Sequence, residues 1–352
     1  MKALVWHAPY DVRLETVVDP TILEPTDVIV RVTAAAICGT DLHPYRGRIP
    51  EFMPGTVLGH EFAGVVEAAG SGVMRMTVGD RVVASDVVVD GDCWFCRRSW
   101  HWQCVSRTMF GWGPLLGENL RGGQAELVRV PTADRTLFAI PRNMTYEQAL
   151  FVGDILATGY VGAMNGGIRP GDTVAVVGCG PVGTLAQLCA RLFAPAQVLA
   201  LDRISSRLEL AQAVGSVAVP VGDDARRIIL EATDGRGADS VIECVGSPEA
   251  LRLALELVRR RGTISVVGAH FEEDFAWPSG TAFDNELTLR FGAGDPLAYG
   301  EQLLQLVHRE VIDPTVIVSH RLPLEDGPRA YGVFDRAEAT KVVLTTSPGS
   351  SN

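Results

Sequence analysis

The apolar positions of this chain follow two periods, and the change from one to the other divides it. From residue 27 to about 150 they come in short runs broken by Gly, Pro and Asp: DVIVRVTAAAI, FAGVVEAAG, DRVVASDVVV and AELVRVP. Short β-type runs with turn residues at close spacing predict an all-β, barrel-like domain. From about residue 156 the runs TVAVVG, QVLALD, DSVIECVG and GTISVVG alternate with helix-period stretches such as GTLAQLCARLF and PEALRLALELVRR. That alternation predicts βαβ units and a parallel sheet. Past residue 293 another helix, AYGEQLLQLVHREV, leads to ATKVVLTT, a last strand expected to return to the first domain. The expected domains are therefore 1–155, 156–293 and a returning segment 294–352, with a disordered tail at about 347–352.

Composition narrows the reading. The formal net charge of −11 argues against nucleic acid as a partner, because such proteins carry a basic footprint. The uncharged run TVAVVGCGPVGTLAQLCA is interrupted by Gly178, Gly180, Pro181 and Gly183, so it reads as strand, loop and helix rather than a membrane span. The opening MKALVWHAPYDVRLE lacks the long apolar centre of a secretory signal, and seven cysteines are an odd number for a disulfide framework. These features lead us to expect a cytoplasmic protein with reduced thiols.

The glycine loop carries the first chemistry. A β run ends in Gly178-Cys-Gly180-Pro181-Val182-Gly183, a helix follows, and a second β run ends in Asp202, nineteen residues after the last glycine. The first glycine permits a tight turn, the second lets backbone approach a pyrophosphate, and the third allows close helix–strand packing. The helix N-terminus offers free N–H groups to the phosphates. Asp202 would hold the adenosine ribose hydroxyls, favouring NAD over NADP, although Arg203 beside it leaves room for NADP.

A second set is AAICGTDLH, with Cys38, Thr40, Asp41 and His43, together with LGHEFAGVV, holding His60 and Glu61, and VGDILATGY, holding Asp154 and Thr158. A third is DGDCWFCRRSWHWQC, which puts Cys93, Cys96 and Cys104 within fifteen residues. On these motifs, with GDRV, GGQAELVRVP, GCGPVG and KVVL in order over nearly the whole chain, the sequence resembles the zinc-dependent medium-chain alcohol dehydrogenases. It is most similar to the branch of formaldehyde dehydrogenase-like and bacterial secondary alcohol dehydrogenases, which carry Asp at the position of Asp154.

The resemblance implies an α/β protein: a GroES-like β-barrel catalytic domain in two segments around a doubly wound Rossmann domain, with the cofactor in the cleft between them. It implies a catalytic zinc on Cys38, His60 and Asp154, with a fourth position open to water or substrate. Glu61 would be an alternate ligand, and Asp41 would orient His60. An alcohol acidified by the zinc would give hydride to the nicotinamide, while Thr40, the cofactor ribose and His43 carry the proton out. Thr158 would touch the nicotinamide. The family's structural lobe has cysteines at relative positions 0, 3, 6 and 14, which puts Asp90 at position 0 and implies a site of Asp90, Cys93, Cys96 and Cys104. Zinc accepts a carboxylate there. Asp92 and His101 are off-register competitors, a lobe without metal remains an alternative, and a redox pair lacks its usual surroundings. Arg97 and Arg98 would offset thiolate charge, while Ser85, Phe110 and Trp112 are candidate pocket walls. The partners expected are a small alcohol or carbonyl and a second copy, as homodimer or homotetramer. A formaldehyde dehydrogenase or dismutase, the zinc-free reductases and a non-catalytic nucleotide binder are the competing functions; Cys38, His60 and Asp154 argue against the last two.

Overall fold

The computed structural model describes residues 1–117, 119–271 and 275–346; the tail expected to be disordered lies outside them. The chain divides into two compact units, Met1–Asp154 with Asp295–Asn352, and Ile155–Gly294.

In the first unit the alternating run Val28–Ile37 becomes the central strand of a seven-stranded sheet, pairing antiparallel with Glu61–Ala69, Leu127–Val130 and Val342–Thr345. Its register sets Ala36 opposite Glu61 and Ile37 opposite Val342. The last strand thus lies beside the first half's ladder, and Lys341, one residue before that strand, arrives next to Glu61. A three-stranded sheet of Asp11–Thr16, Lys2–Ala8 and Thr56–Val57 completes the β structure with the hairpin Val87–Val88 and Thr108–Met109. One apolar core gathers Leu4, Trp6, Ile37, Leu58, Tyr331 and Leu344, and extends to Cys96 and Cys104 of the cysteine-rich lobe. A second, around Val30, Phe62, Phe110 and Val128, fills the other side.

The second unit is a six-stranded parallel sheet in the order Val217–Pro220, Gln197–Asp202, Thr173–Val177, Ala238–Glu243, Val258–Val266, Thr288–Phe291. The strand Thr173–Val177 is wholly buried, as a strand covered on both faces should be. Counted in chain order this is 3-2-1-4-5-6, the doubly wound arrangement whose ligand crevice lies at the carboxyl ends of the strands. No helix among the described residues is long and apolar enough to cross a membrane.

Candidate functional site

Three chain reversals bring Cys38, His60 and Asp154 together. Cys38 follows the end of the central strand, where the Asp41 carboxylate accepts its backbone N–H at 2.9 Å and pins the turn. His60 is preceded by Gly59 at φ +101; a Cβ there would meet the Gln124 backbone nitrogen at 2.7 Å, so only glycine lets the chain turn His60 inward. Asp154 ends a short turn over Phe151–Gly153, and a Cβ on Gly153 would lie 1.9 Å from the Ala84 carbonyl oxygen.

The donor atoms of these three residues lie within 4.8 Å of one another. Asp154 Oδ2 stands 3.3 Å from His60 Nε2 and 3.6 Å from Cys38 Sγ. His60 is 1% exposed, and neither ring nitrogen finds an aligned hydrogen-bond partner among the described residues. Asp41 Oδ1 is 3.2 Å from Nδ1 but off-line. One buried thiol, one buried imidazole and one partly exposed carboxylate, with donor atoms this close together, fit a zinc ion with a position to spare.

The surrounding charges are dense. Burial pulls the His60 imidazole down, but Asp41 and Asp154 outweigh it and leave its pKa well above the ordinary value. Burial, with Asp154 and Glu61 nearby, pushes the Cys38 thiol up. Glu61 is fully buried and ion-paired with the fully buried Lys341; burial drives its pKa upward in spite of that partner. Thr40 Oγ1 is 3.7 Å from Cys38 Sγ, and His43 lies on the short helix Leu42–Tyr45 that follows, half-buried.

Two neighbours were not legible in sequence. Asp86 is buried, its backbone N–H donates to the Gly153 carbonyl at 2.9 Å, and burial together with Asp154 raises its pKa well above the carboxylate range. Ser85 beside it is fully buried as well. Lys341 was visible only as the first letter of KVVL. Phe110 and Trp112 stand in the packed core, edge-on to Phe62 and Phe52 at 5.0 and 5.9 Å.

The lobe assembles locally. Asp90 Oδ1 accepts the backbone N–H groups of Asp92 and Cys93 at 2.8 and 2.9 Å, while Oδ2 accepts from Ser106 Oγ at 2.7 Å and Cys104 Sγ at 3.2 Å. The Ser106 hydroxyl and the Cys93 N–H hold the Asp90 carboxyl well below its usual range. The donor atoms of Asp90, Cys93, Cys96 and Cys104 also lie within 4.8 Å of one another. Asp92 is exposed. His101 is engaged elsewhere, with Nδ1 2.9 Å from Asp295 Oδ1. Arg98 stacks on Trp94 at 3.8 Å and Arg97 is exposed, while Arg107, half-buried, lies over Trp102 at 4.1 Å.

In the second unit, Gly178 adopts φ +90, and a Cβ on Gly183 would sit 1.8 Å from the Gly178 carbonyl oxygen. For Gly180, the residue before Pro181 and Val182 at the start of the helix Pro181–Arg191, the nearest atom to a would-be Cβ beyond its chain neighbours is Arg207 Nη1 at 3.8 Å. Packing against the rest of the protein does not require a glycine there, whereas a ligand lying against the backbone would. Asp202 Oδ2 accepts the Cys179 N–H at 2.7 Å, and Oδ1 accepts those of Arg203 and Ile204 at 2.7 and 3.0 Å. The acid thus braces the loop. Arg203 projects into solvent, while the guanidinium of Arg207 lies 3.7 Å from Asp202 Oδ2. Thr158 is buried on the helix Ile155–Asn165.

Comparison with known proteins agrees with this geometry. Residues 24–142 match the alcohol dehydrogenase GroES-like domain, and residues 181–307 match the zinc-binding dehydrogenase family. Zinc-type alcohol dehydrogenase B of Aspergillus flavus is 36% identical, covering 98% of this chain and 81% of its own. This chain belongs to the zinc-type alcohol dehydrogenases. Among solved structures, the alcohol dehydrogenase TADH from a Thermus species superposes with a TM-score of 0.94 at 42% identity, covering 99% of this chain and 100% of the other. Zinc-dependent alcohol dehydrogenase 2 of Streptococcus pneumoniae gives 0.91 at 33% identity, with 100% of each chain covered. The alcohol dehydrogenase is thus a GroES-like domain with a Rossmann domain, and a zinc-dependent oxidoreductase that moves hydride between an alcohol or its carbonyl and a nicotinamide dinucleotide.

Proposed function

We propose that Cys38, His60 and Asp154 hold the catalytic zinc and that Asp90, Cys93, Cys96 and Cys104 hold a structural one. The observation that carries this reading is the buried imidazole of His60, set between a thiol and a carboxylate that all aim at one point. Zinc bound there supplies a Lewis acid, making a hydroxyl more acidic or a carbonyl more electrophilic. In the net reaction the alcohol loses a hydride to NAD+ and a proton to solvent, giving the carbonyl compound, NADH and H+.

The chain's own residues handle the proton and the surroundings. Thr40 Oγ1, beside Cys38, accepts the proton from the substrate hydroxyl as it gives up its own, and His43 releases a proton toward solvent. Glu61, held by Lys341, stands ready as the alternate ligand. Ser85 and Asp86 give the pocket a polar wall next to Asp154. The carboxylate ligand Asp154 supports placement in the branch of formaldehyde dehydrogenase-like and secondary alcohol dehydrogenases. Gly178, Gly180, Pro181, Val182 and Gly183 bind the pyrophosphate, with Thr158 near the nicotinamide. NAD is the preferred cofactor because the Asp202 carboxylate repels a 2′-phosphate. Assembly as a homodimer or homotetramer is part of the same reading.

The test is reduction of NAD and NADP by zinc-loaded protein against primary, secondary, polyol and aromatic alcohols, and formaldehyde. Turnover of an alcohol with NAD favoured is expected. In Asp202→Ala, NAD should bind more weakly and its advantage over NADP should narrow by about tenfold, about 1.4 kcal/mol. An unchanged cofactor ratio would place the ribose-binding acid elsewhere. No oxidation of any alcohol by protein carrying both zinc and cofactor would count against the activity.

A further inference from the structure

Asp41, the carboxylate beside His60, is itself held by side chains distant in sequence. Asp41, whose Oδ1 faces His60 Nδ1 at 3.2 Å, is 2% exposed and is itself held at its other oxygen. Oδ2 accepts the Cys38 backbone N–H at 2.9 Å and the Gln124 side-chain amide at 3.3 Å. The same Gln124 Nε2 donates to the Ala36 carbonyl at 3.1 Å. Its Oε1 accepts the Tyr331 hydroxyl proton at 2.8 Å. Gln124 and Tyr331 are both 0% exposed.

This arrangement has one consistent direction. A glutamine amide has an acceptor end and a donor end, and a buried one must match both. The Ala36 carbonyl and the Asp41 carboxylate can only accept, so they fix Nε2 on their side and leave Oε1 to take the Tyr331 hydroxyl proton. Because Asp41 Oδ2 is occupied by two donors, Oδ1 is the oxygen left for the ring. A carboxylate oxygen at Nδ1 favours the tautomer protonated there, with the Nε2 lone pair turned to the site that also holds Cys38 and Asp154. The backbone supports the same line, since the Gln124 N–H donates to the Leu58 carbonyl at 2.9 Å and the Gly123 N–H to the Gly59 carbonyl at 2.8 Å.

We infer that Gln124 and Tyr331 are positioning residues for the metal ligand His60, acting in series through Asp41. Tyr331 lies on the helix Gly327–Asp335 of the returning segment, so the C-terminal part of the chain sets the geometry of a ligand near its N-terminus. The inference rests on the zinc assignment made above.

The experiment measures metal affinity in the full-length protein by competition with a chromophoric chelator, and the visible absorption of the cobalt(II)-substituted protein. The phase absent in Cys38→Ser identifies the site. Gln124→Met should weaken zinc in that phase by about 10–100-fold and shift the cobalt bands. Tyr331→Phe keeps the ring, which packs against Tyr45 at 5.2 Å, and should weaken binding by a smaller factor. Because the two act in series, the double variant should bind no worse than Gln124→Met alone. Gln124→Leu, which keeps much of the volume and has no donor, should reproduce the loss if Gln124→Met fails to fold. Wild-type affinity and cobalt bands in the Gln124 variants would overturn the inference, as would a double-variant loss equal to the product of the single losses. A wild-type protein with no Cys38-dependent metal phase would instead overturn the zinc assignment, and this inference with it.

Discussion

The two clusters of candidate metal ligands in this protein are built by opposite means. Asp90, Cys93, Cys96 and Cys104 come from fifteen consecutive residues, and their geometry is made by local turns in a partly exposed lobe. Cys38 and Asp154 are separated by 116 positions, and they meet His60 only because the seven-stranded sheet has formed. The lobe offers four donor atoms, the number in a closed tetrahedral set, and the cluster at His60 offers three, the number a catalytic zinc site needs. The surroundings differ to match. Near the lobe, arginines such as Arg98 lie on exposed tryptophans, where solvent screens their charge. Around His60 the charges are buried, so each needs a designated partner: Asp41 faces His60, and Lys341 faces Glu61. A local cluster can stabilise, but a cluster that needs the whole domain can also react.

Removing a donor from the buried cluster should produce the largest effect. Cys38→Ser or His60→Ala should lower turnover by at least about a thousand-fold, since losing even one hydrogen-bond donor to developing charge costs about 10²–10³ in an enzyme. Dinucleotide binding, which we assign to residues of the second unit, should be largely intact by fluorescence titration. Turnover that survives either change would break the comparison at its root.

The next largest effect lies in the charge balance. Lys341→Met strands Glu61 where both side chains are 0% exposed, and breaking a buried pair costs about 3–5 kcal/mol. The double variant Glu61→Gln with Lys341→Met should regain most of that loss in urea unfolding. Arg98→Ala in the lobe should cost less than about 1 kcal/mol, because Arg98 stands in solvent. Equal losses at the two places would erase the distinction between screened and unscreened clusters.

What the sequence made legible follows the same division. The lobe's ligands, the glycine loop and the types of residue at Cys38, His60 and Asp154 are local signals, and the structure brings each set together. The change of period near residue 156 showed the parallel sheet because strand and helix patterns are also local. Lys341, Gln124 and Tyr331 gave no such signal: Lys341 meets Glu61 across 280 positions and Tyr331 meets Gln124 across 207, through a register that only the folded sheet defines. Asp86 read as a polar residue in a β run, although it is 4% exposed beside the ligand turn. Asp202 was legible as an acid at the end of the second strand. Its use by three backbone N–H groups was not, because those depend on how the loop folds back.

The smallest effect on catalysis should come from the lobe. Asp90→Ala removes a carboxylate that accepts two backbone N–H groups and the Ser106 hydroxyl, as well as a metal donor. Zinc content should fall by about one ion per chain, because three thiols cannot close a tetrahedral site. The melting temperature should fall by several degrees, at about 2–4 °C per kcal/mol for a domain of this size. Turnover per chain that still holds the other ion should change by less than about threefold, since the lobe provides no group to the cluster at His60. Asp90→Cys separates the two roles of this carboxylate. It restores a fourth donor without the hydrogen bonds to Asp92 and Cys93, so it should recover zinc content more fully than melting temperature. If Asp90→Ala instead kept two zinc ions and its melting temperature, the carboxylate would be a turn-former alone, and the lobe would close on three cysteines and some other donor.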